Sequence, residues 1–447
     1  MSGTAMAEER IEVSIEEAAR IGIAFLQRGQ VRDAEVLFTK LLSIAPRQPD
    51  ALHYSGIVAH KLGRTEEGIA RVRESLDLAP EQADWHSNLG ILLENGGDGE
   101  GAIEAFSRAI ALDPSHANAH NNLGVLQRLF GRPAEAEASY RAAIEINPKH
   151  ADAYRNLALV LEQTGRSHDA LNAYYRAVTI EPGHSATRRL LAVAYNTIGD
   201  RERAVEFCEE WVKAEPNDPL ARHTLAACSQ RDVPARASDQ FVVASFDTFA
   251  ATFEAKLTRL EYKAPSLVVA SLAETGTPAD KQLDILDAGC GTGWCGPLLA
   301  PYARRLSGVD LSAGMLEHAR AKGVYDELSH AELVGYLQGQ SGAFDIIVSA
   351  DTLVYFGSLE PFAAAASAAL RPGGWVIFTV EESKPATDTF HLEVHGRYNH
   401  AATYVEAVLG AAGLTPHIDR AVLRNESGLP VAGLVVRARK AMGDDRG

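Results

Sequence analysis

The 447-residue sequence has only four cysteines, Cys208, Cys228, Cys290 and Cys295. So few exclude a disulfide framework, and no pair has zinc-ligand spacing with a second pair to complete a site, so no metal is expected. A reducing compartment suits such a chain. No stretch approaches 18 uninterrupted apolar residues, and the N-terminus, MSGTAMAEERIEVS, lacks the apolar core of a secretory signal. The reading is a cytoplasmic protein without a membrane partner. A basic surplus is missing too. Residues 1–240 carry 26 Lys and Arg against 35 Asp and Glu, and the rest carry 17 against 24. Neither part offers a positive face to nucleic acid. What the chain does have is length and 46% hydrophobic residues, enough for two or more cores.

Residues 15–218 repeat. Pro46, Pro80, Pro114, Pro148, Pro182 and Pro216 follow one another at intervals of 34 residues. Seventeen residues before each stands a glycine: Gly29, Gly63, Gly97, Gly131, Gly165 and Gly199. Each sits where a helix ends and a left-handed backbone position costs glycine nothing. Small residues recur at two further positions, Gly22, Gly56, Gly90, Gly124, Ala158 and Ala192 in the first helix, and Ala34, Gly68, Ala102, Ala136, Ala170 and Ala204 in the second. Helices that cross closely need small residues at the crossing. This period resembles the tetratricopeptide repeat, a helix-turn-helix unit that stacks into an all-α superhelix. The reading places a flexible N-terminus at residues 1–14, six repeats at 15–218, and a capping helix and linker at 219–238.

A solenoid binds through what lines its groove. Asn88, Asn122 and Asn156 share one position in three consecutive repeats. A row of amides, each both donor and acceptor, would hold an extended peptide backbone without reading its sequence. The row resembles the asparagine ladder in the repeat domain of O-GlcNAc transferases. Its alternative is a set of hydrogen bonds between repeats. Arg128, Arg155 and Arg189 would add a basic track to the same groove.

Beyond residue 238 the period changes. LDILDAGCGTGWCG (residues 283–296) reads as a buried strand, an acid and a glycine-rich turn opening a helix. A second strand ends on Asp310, and further strands end near Ala350 and Val380. Alternating strands and helices imply a doubly wound, Rossmann-like α/β sheet with its ligand at the carboxyl ends of the strands. The third glycine of a dinucleotide-binding turn would fall at Trp294. The order Asp287, Gly289, Gly291, Gly293, followed by Asp310 and the LRPGG turn, resembles class I S-adenosylmethionine-dependent methyltransferases, over residues 239–447 as a domain.

That resemblance implies S-adenosylmethionine as cofactor and S-adenosylhomocysteine as product. It places Asp287, Gly289, Cys290, Gly291, Thr292 and Gly293 at the methionine end and Asp310 on the ribose hydroxyls. Leu311, Met315, Ala331, Glu332 and Ala350 would border the ribose and adenine, with Lys322–Gln338 as a loop. Asp351 and Tyr355, just past the fourth strand, would face the transferable methyl. Asp351 has the alternative of capping the next helix. Phe246, Phe249 and Phe253, ahead of Tyr262, read as packing. Arg397, Tyr398 and His400 group in a loop before a helix, where such polar side chains have little core role. Tyr262, Arg397 and Tyr398 are therefore expected on substrate, with His400 assisting catalysis. These additions, with a closing hairpin at residues 421–440, resemble methyltransferases that bear tetratricopeptide repeats.

The function implied is a methyltransferase whose repeats recruit a protein or peptide. A small-molecule methyltransferase using the repeats as a scaffold, and a non-enzymatic scaffold, are the alternatives.

Overall fold

The computed structural model describes residues 14–246, 260–383, 388–426 and 429–442. The chain divides into two compact units, Met1–Pro182 and Gly183–Gly447.

The first unit holds five helical hairpins: Ile15–Gln27 with Val31–Ile44, Pro49–Lys61 with Thr65–Leu78, Ala83–Asn95 with Gly99–Leu112, Ala117–Leu129 with Pro133–Ile146, and Ala151–Gln163 with Ser167–Ile180. The glycines of the 34-residue period turn each hairpin at φ between 73° and 85°, which an L side chain adopts only under strain. Small residues in the first helix let a ring from the second lie on the backbone. A Cβ added to Gly22, Gly90 or Gly124 would stand 2.5, 2.7 or 2.8 Å from the ring of Phe38, Phe106 or Tyr140, and all three rings are fully buried. Overpacking of that kind costs about 1 to 3 kcal/mol.

Successive hairpins are also tied by polar bonds between residues 35 apart. Asn88 Nδ2 donates to His53 Nε2 (3.1 Å), Asn95 Nδ2 to His60 Nε2 (3.3 Å), and Asn156 Nδ2 to Asn121 Oδ1 (3.0 Å). His53 is fully buried and stacks on Trp85 at 4.6 Å.

The second unit begins with the sixth hairpin, Ser185–Thr197 and Arg201–Ala214, and the capping helix Pro219–Ser229. These pack with the sheet domain. Trp211, Leu220 and Ala221 share one buried cluster with Phe241, Leu392 and Tyr398. Arg189 Nη1 donates to His395 O (3.1 Å), His223 Nε2 bonds Gly396 O (2.9 Å), and Gln230 Nε2 donates to Leu392 O (2.8 Å). The compact division therefore falls one repeat earlier than the change of sequence period.

Among the described residues the sheet has nine strands: β1 Leu283–Ala288, β2 Ala303–Asp310, β3 Glu327–His330, β4 Phe344–Ser349, β5 Leu370–Glu382, β6 Phe390–Leu392, β7 Tyr398–His400, β8 Leu414–Glu426 and β9 Leu429–Lys440. Strands β3-β2-β1-β4-β5 are parallel neighbours, and β9 joins β5 antiparallel with β8 outside it. The order reverses between β1 and β4, where loops from the two carboxyl ends part and leave a crevice. Helices cover both faces, burying Ile285, Leu286, Ile347 and Val376 without residual exposure.

Three sequence expectations change here. Lys322–Gln338 contains β3 and a helix, Leu333–Gln338, rather than a plain loop. The closing hairpin starts at Leu414 rather than residue 421. Tyr398–His400 is β7, buried at all three residues, because β6 and the end of β5 pair with it while Tyr398 joins the cluster beneath the capping helix. Phe249 and Phe253 lie outside the described residues.

Candidate functional site

At the carboxyl end of β1 the backbone passes through Gly289, Gly291 and Gly293 at φ 75°, 54° and 83°. The N–H groups of Gly289 and Cys290 donate to Val309 O (2.8 and 3.0 Å), tying the turn to β2. A Cβ on Gly289 would lie 2.3 Å from Thr352, so only glycine fits. Asp310 closes β2. Its Oδ2 accepts from Gly291 N and its Oδ1 from Ser312 N, each at 2.8 Å, which orients the carboxylate and leaves lone pairs for further donors. Asp287 is buried beneath the turn and accepts from Tyr325 Oη at 2.6 Å. Burial raises its pKa to about 7, with the Asp310 charge contributing and the Tyr325 bond opposing.

A cavity of about 300 Å³ opens above this turn. Of the twelve residues that the methyltransferase motif implies for a cofactor, all but Gly293 line it. Gly293 instead packs against Tyr325 and Ala319. Glu332 also caps its helix, accepting from Val334 N and Gly335 N (3.0 and 2.7 Å).

The other end of the cavity is lined by Tyr262, Asp351, Tyr355 and Arg397, as expected, and by Arg189, His395, Arg424 and Glu426, which were not. Tyr398 and His400 are not among the lining residues. His400 has no exposed surface, bonds Gly357 O through Nε2 at 3.1 Å, and is held neutral by burial, which lowers its pKa to about 4. Its place in β7 makes it a core histidine. Tyr398 donates to Pro234 O at 2.8 Å and packs under the sixth hairpin.

Asp351 does not cap a helix. It adopts φ 58°, an uncommon conformation for a residue with a Cβ, and is fixed there by a bond from its N–H to Thr379 Oγ1 (2.9 Å). Its carboxylate takes both oxygens to Arg424 Nη1, at 2.8 and 2.7 Å. Arg424, only 3% exposed at its side chain, also pairs with Glu381 and with Glu426 (2.6 Å). Arg397 pairs with Glu381 (2.6 Å) and Glu426 (2.7 Å). Two guanidiniums and three carboxylates thus interlock, with one carboxylate charge in excess. Burial raises the pKa of Glu426, but Arg397 and Arg424 together hold it down to about 2.

Arg424 escaped the sequence reading for a geometric reason. Strand β8 slips register against β9 between Val422 and Arg424, so Leu423 and Arg424 are both buried although adjacent residues of a regular strand face opposite ways. An arginine amid apolar strand residues was the available signal. Arg189 had a signal that pointed elsewhere, its place in the repeat period.

A model described as Methyltransferase domain matches residues 286–378. Models described as Tetratricopeptide repeat match residues 20–83, 55–117, 87–151 and 130–186, and a further one residues 161–228. Methyltransferase-like protein 27 of Homo sapiens is 35% identical over 30% of this chain and 55% of its own length. A probable S-adenosylmethionine-dependent methyltransferase of Mycolicibacterium smegmatis is 30% identical over 29% of this chain and 51% of its own. The chain thus spans about half the length of these curated relatives. Among solved structures, Pseudomonas aeruginosa pilF is 20% identical, covering 47% of this chain and 96% of that one, with a TM-score of 0.42.

Proposed function

We propose that this chain, an N-terminal array of tetratricopeptide repeats followed by a class I methyltransferase domain, is an S-adenosylmethionine-dependent methyltransferase whose array recruits a protein or peptide acceptor. The observation that carries the reading is the turn at Gly289–Gly293 facing Asp310. Gly291 leaves the backbone bare where a cofactor would approach, Gly289 lets the turn close on Thr352, and Asp310, held by two backbone N–H groups, presents acceptor capacity suited to a pair of ribose hydroxyls. Leu311, Met315 and Ala331 would border the adenine. S-adenosylmethionine, when bound, supplies an electrophilic methyl group on a sulfonium.

The protein's own residues then have little covalent work, because methyl transfer is mostly a matter of in-line placement. Asp351 acts as a positioning residue that holds Arg424, since its carboxylate is occupied by that guanidinium. Tyr262 and Tyr355 have pKa values raised by burial, so they remain protonated and serve as donors that orient the acceptor. Two of the relatives are named methyltransferases, one of them S-adenosylmethionine-dependent, which supports the chemistry. The bonds of Asn88 and Asn156 between hairpins favour a structural role for the asparagine row, so recruitment would rest on other groove residues.

The test is mass spectrometry of a lysate incubated with methyl-labelled cofactor and the full chain or Gly183–Gly447. The reading expects labelled protein with the full chain, lost with Asp310→Ala and strongly reduced with the fragment. Label on small molecules alone, equal for both chains, would favour the small-molecule alternative, which a cavity lined, among the described residues, only from within 183–447 also allows.

A further inference from the structure

Arg189 is the one arginine at the acceptor end of the cavity with no carboxylate within salt-bridge distance among the described residues, whereas Arg397 and Arg424 have two and three such partners. Its Nη1 donates to a backbone oxygen, His395 O, and its Nε is buried without a hydrogen-bond partner. A guanidinium carries five donors in a planar fork, and Arg189, which lines the cavity, gives one of them to His395 O. The phenol hydroxyls of Tyr262 and Tyr355, which line the same cavity, also make no hydrogen bond to a described residue. Arg189, Tyr262 and Tyr355 thus bring three donor groups, one of them a cation, to the lining of one cavity.

An amine acceptor such as lysine, with an ordinary pKa of about 10.4, needs a group to take its proton. Among the described residues that line the cavity, Asp351 and Glu426 are held by arginines, Asp287, raised to about 7, lies beneath the glycine turn with Tyr325 on its Oδ2, and His395 has its pKa lowered to about 4 by burial and by Arg397. A base of that strength removes few protons at neutral pH. An acceptor that is already an anion has no such need.

We propose that this end of the cavity receives a carboxylate on the acceptor, with Arg189 of the sixth hairpin as its charge partner and Tyr262 and Tyr355 as neutral donors, so that the product is a methyl ester. The inference rests on the methyltransferase reading. In the step, a carboxylate oxygen lone pair forms the new bond to the methyl carbon as the carbon–sulfur bond breaks. The bonding pair stays on sulfur, giving a neutral thioether and a neutral ester, and no proton moves. The sixth hairpin is then part of the acceptor site, although its sequence period assigns it to the repeats.

Calorimetry on the full chain saturated with S-adenosylhomocysteine tests this, with glutarate, its neutral diamide glutaramide, and inorganic phosphate as probes. Glutarate is expected to bind, glutaramide at least 10-fold more weakly. Arg189→Gln should weaken glutarate about 10-fold to 100-fold while S-adenosylhomocysteine affinity stays unchanged, which also reports that the variant is folded. Arg189→Lys serves where the glutamine variant does not fold, with a smaller loss expected because lysine keeps the charge without the fork. Label transferred to lysate should be released as volatile methanol by mild alkali, as esters are and methylated amines are not. Equal binding of glutarate and glutaramide, glutarate binding indifferent to Arg189, phosphate preferred over glutarate, or alkali-stable label would overturn the carboxylate assignment. Failure of S-adenosylhomocysteine to bind wild type would instead overturn the methyltransferase reading itself.

Discussion

Arg155 and Arg189 stand one period apart, in the fifth and sixth hairpins, at the same position of the first helix. Arg155 pairs with Asp152 three residues earlier. The residue equivalent to Asp152 in the sixth hairpin is Ala186, and Arg189, lacking that partner, bonds a backbone carbonyl of the sheet domain and lines its cavity. One substitution in a periodic sequence separates an arginine neutralised on its own helix from one left for a ligand. In the first unit His53 and Asn88, and Asn121 and Asn156, hydrogen-bond between hairpins; Arg128 Nε is buried there without a partner, as Arg189 Nε is in the second unit, but of these two arginines Arg189 alone lines the cavity.

The largest effect expected from disturbing this contrast is at Arg424, where removal leaves Asp351 without its guanidinium and Glu381 and Glu426 with Arg397 alone. Arg424→Ala should destabilise the second unit by about 3 to 5 kcal/mol, seen as loss of its transition in thermal unfolding. A well-folded variant would mean that the buried carboxylates find other partners.

Next comes the response of the first unit to acid. Burial lowers the pKa of His53 to about 3, against an ordinary value near 6.5. Between those values the unfolded chain binds a proton that the folded chain refuses, so stability falls as pH falls. The loss should reach about 2 kcal/mol between pH 6.5 and 5. Denaturant unfolding across that range should show a shallower slope in His53→Gln. A slope unchanged by the substitution would assign the acid sensitivity to other groups.

Asn88→Ala separates the two readings of the asparagine row. The bond to His53 predicts a stability loss of about 0.5 to 1.5 kcal/mol with kcat/KM for a protein acceptor unchanged. A folded variant with reduced kcat/KM would restore the peptide ladder. The smallest expected effect addresses the contrast itself. Ala186→Asp gives the sixth hairpin the carboxylate that the fifth has, and an i, i+3 pair of about 0.2 to 0.5 kcal/mol should weaken glutarate binding about twofold. Unchanged binding would mean that Arg189 stays in the cavity whatever its own helix offers.

How much of this was legible in the sequence follows from what repeats and what does not. The hairpins could be read because glycine at a left-handed turn and small residues opposite rings recur every 34 residues, and local sterics alone require them. The glycine turn and Asp310 could be read because apolar residues of β1 and β2 lead into Asp287 and Asp310, with glycines following the first. Strand β3 was missed because ELSH has neither length nor apolar alternation. His400 and Tyr398 were misread because their burial comes from β6 and the capping helix, partners distant in sequence. Arg424 was missed because a register slip in β8 undoes the alternation on which strand reading depends. Arg189 was noticed but aimed at the groove, since the period says which helix face a residue occupies and nothing about the domain that covers that face.

The most direct test of the account is calorimetric titration of S-adenosylmethionine into the full chain and into Asp310→Ala. The account predicts one site per chain in the wild type. Loss of the charge-assisted bonds to the ribose, worth about 1.5 to 3 kcal/mol, should weaken it about 10-fold to 150-fold in the variant. Absence of binding to a folded wild-type chain, binding indifferent to Asp310, or binding of a nicotinamide dinucleotide in its place would contradict it.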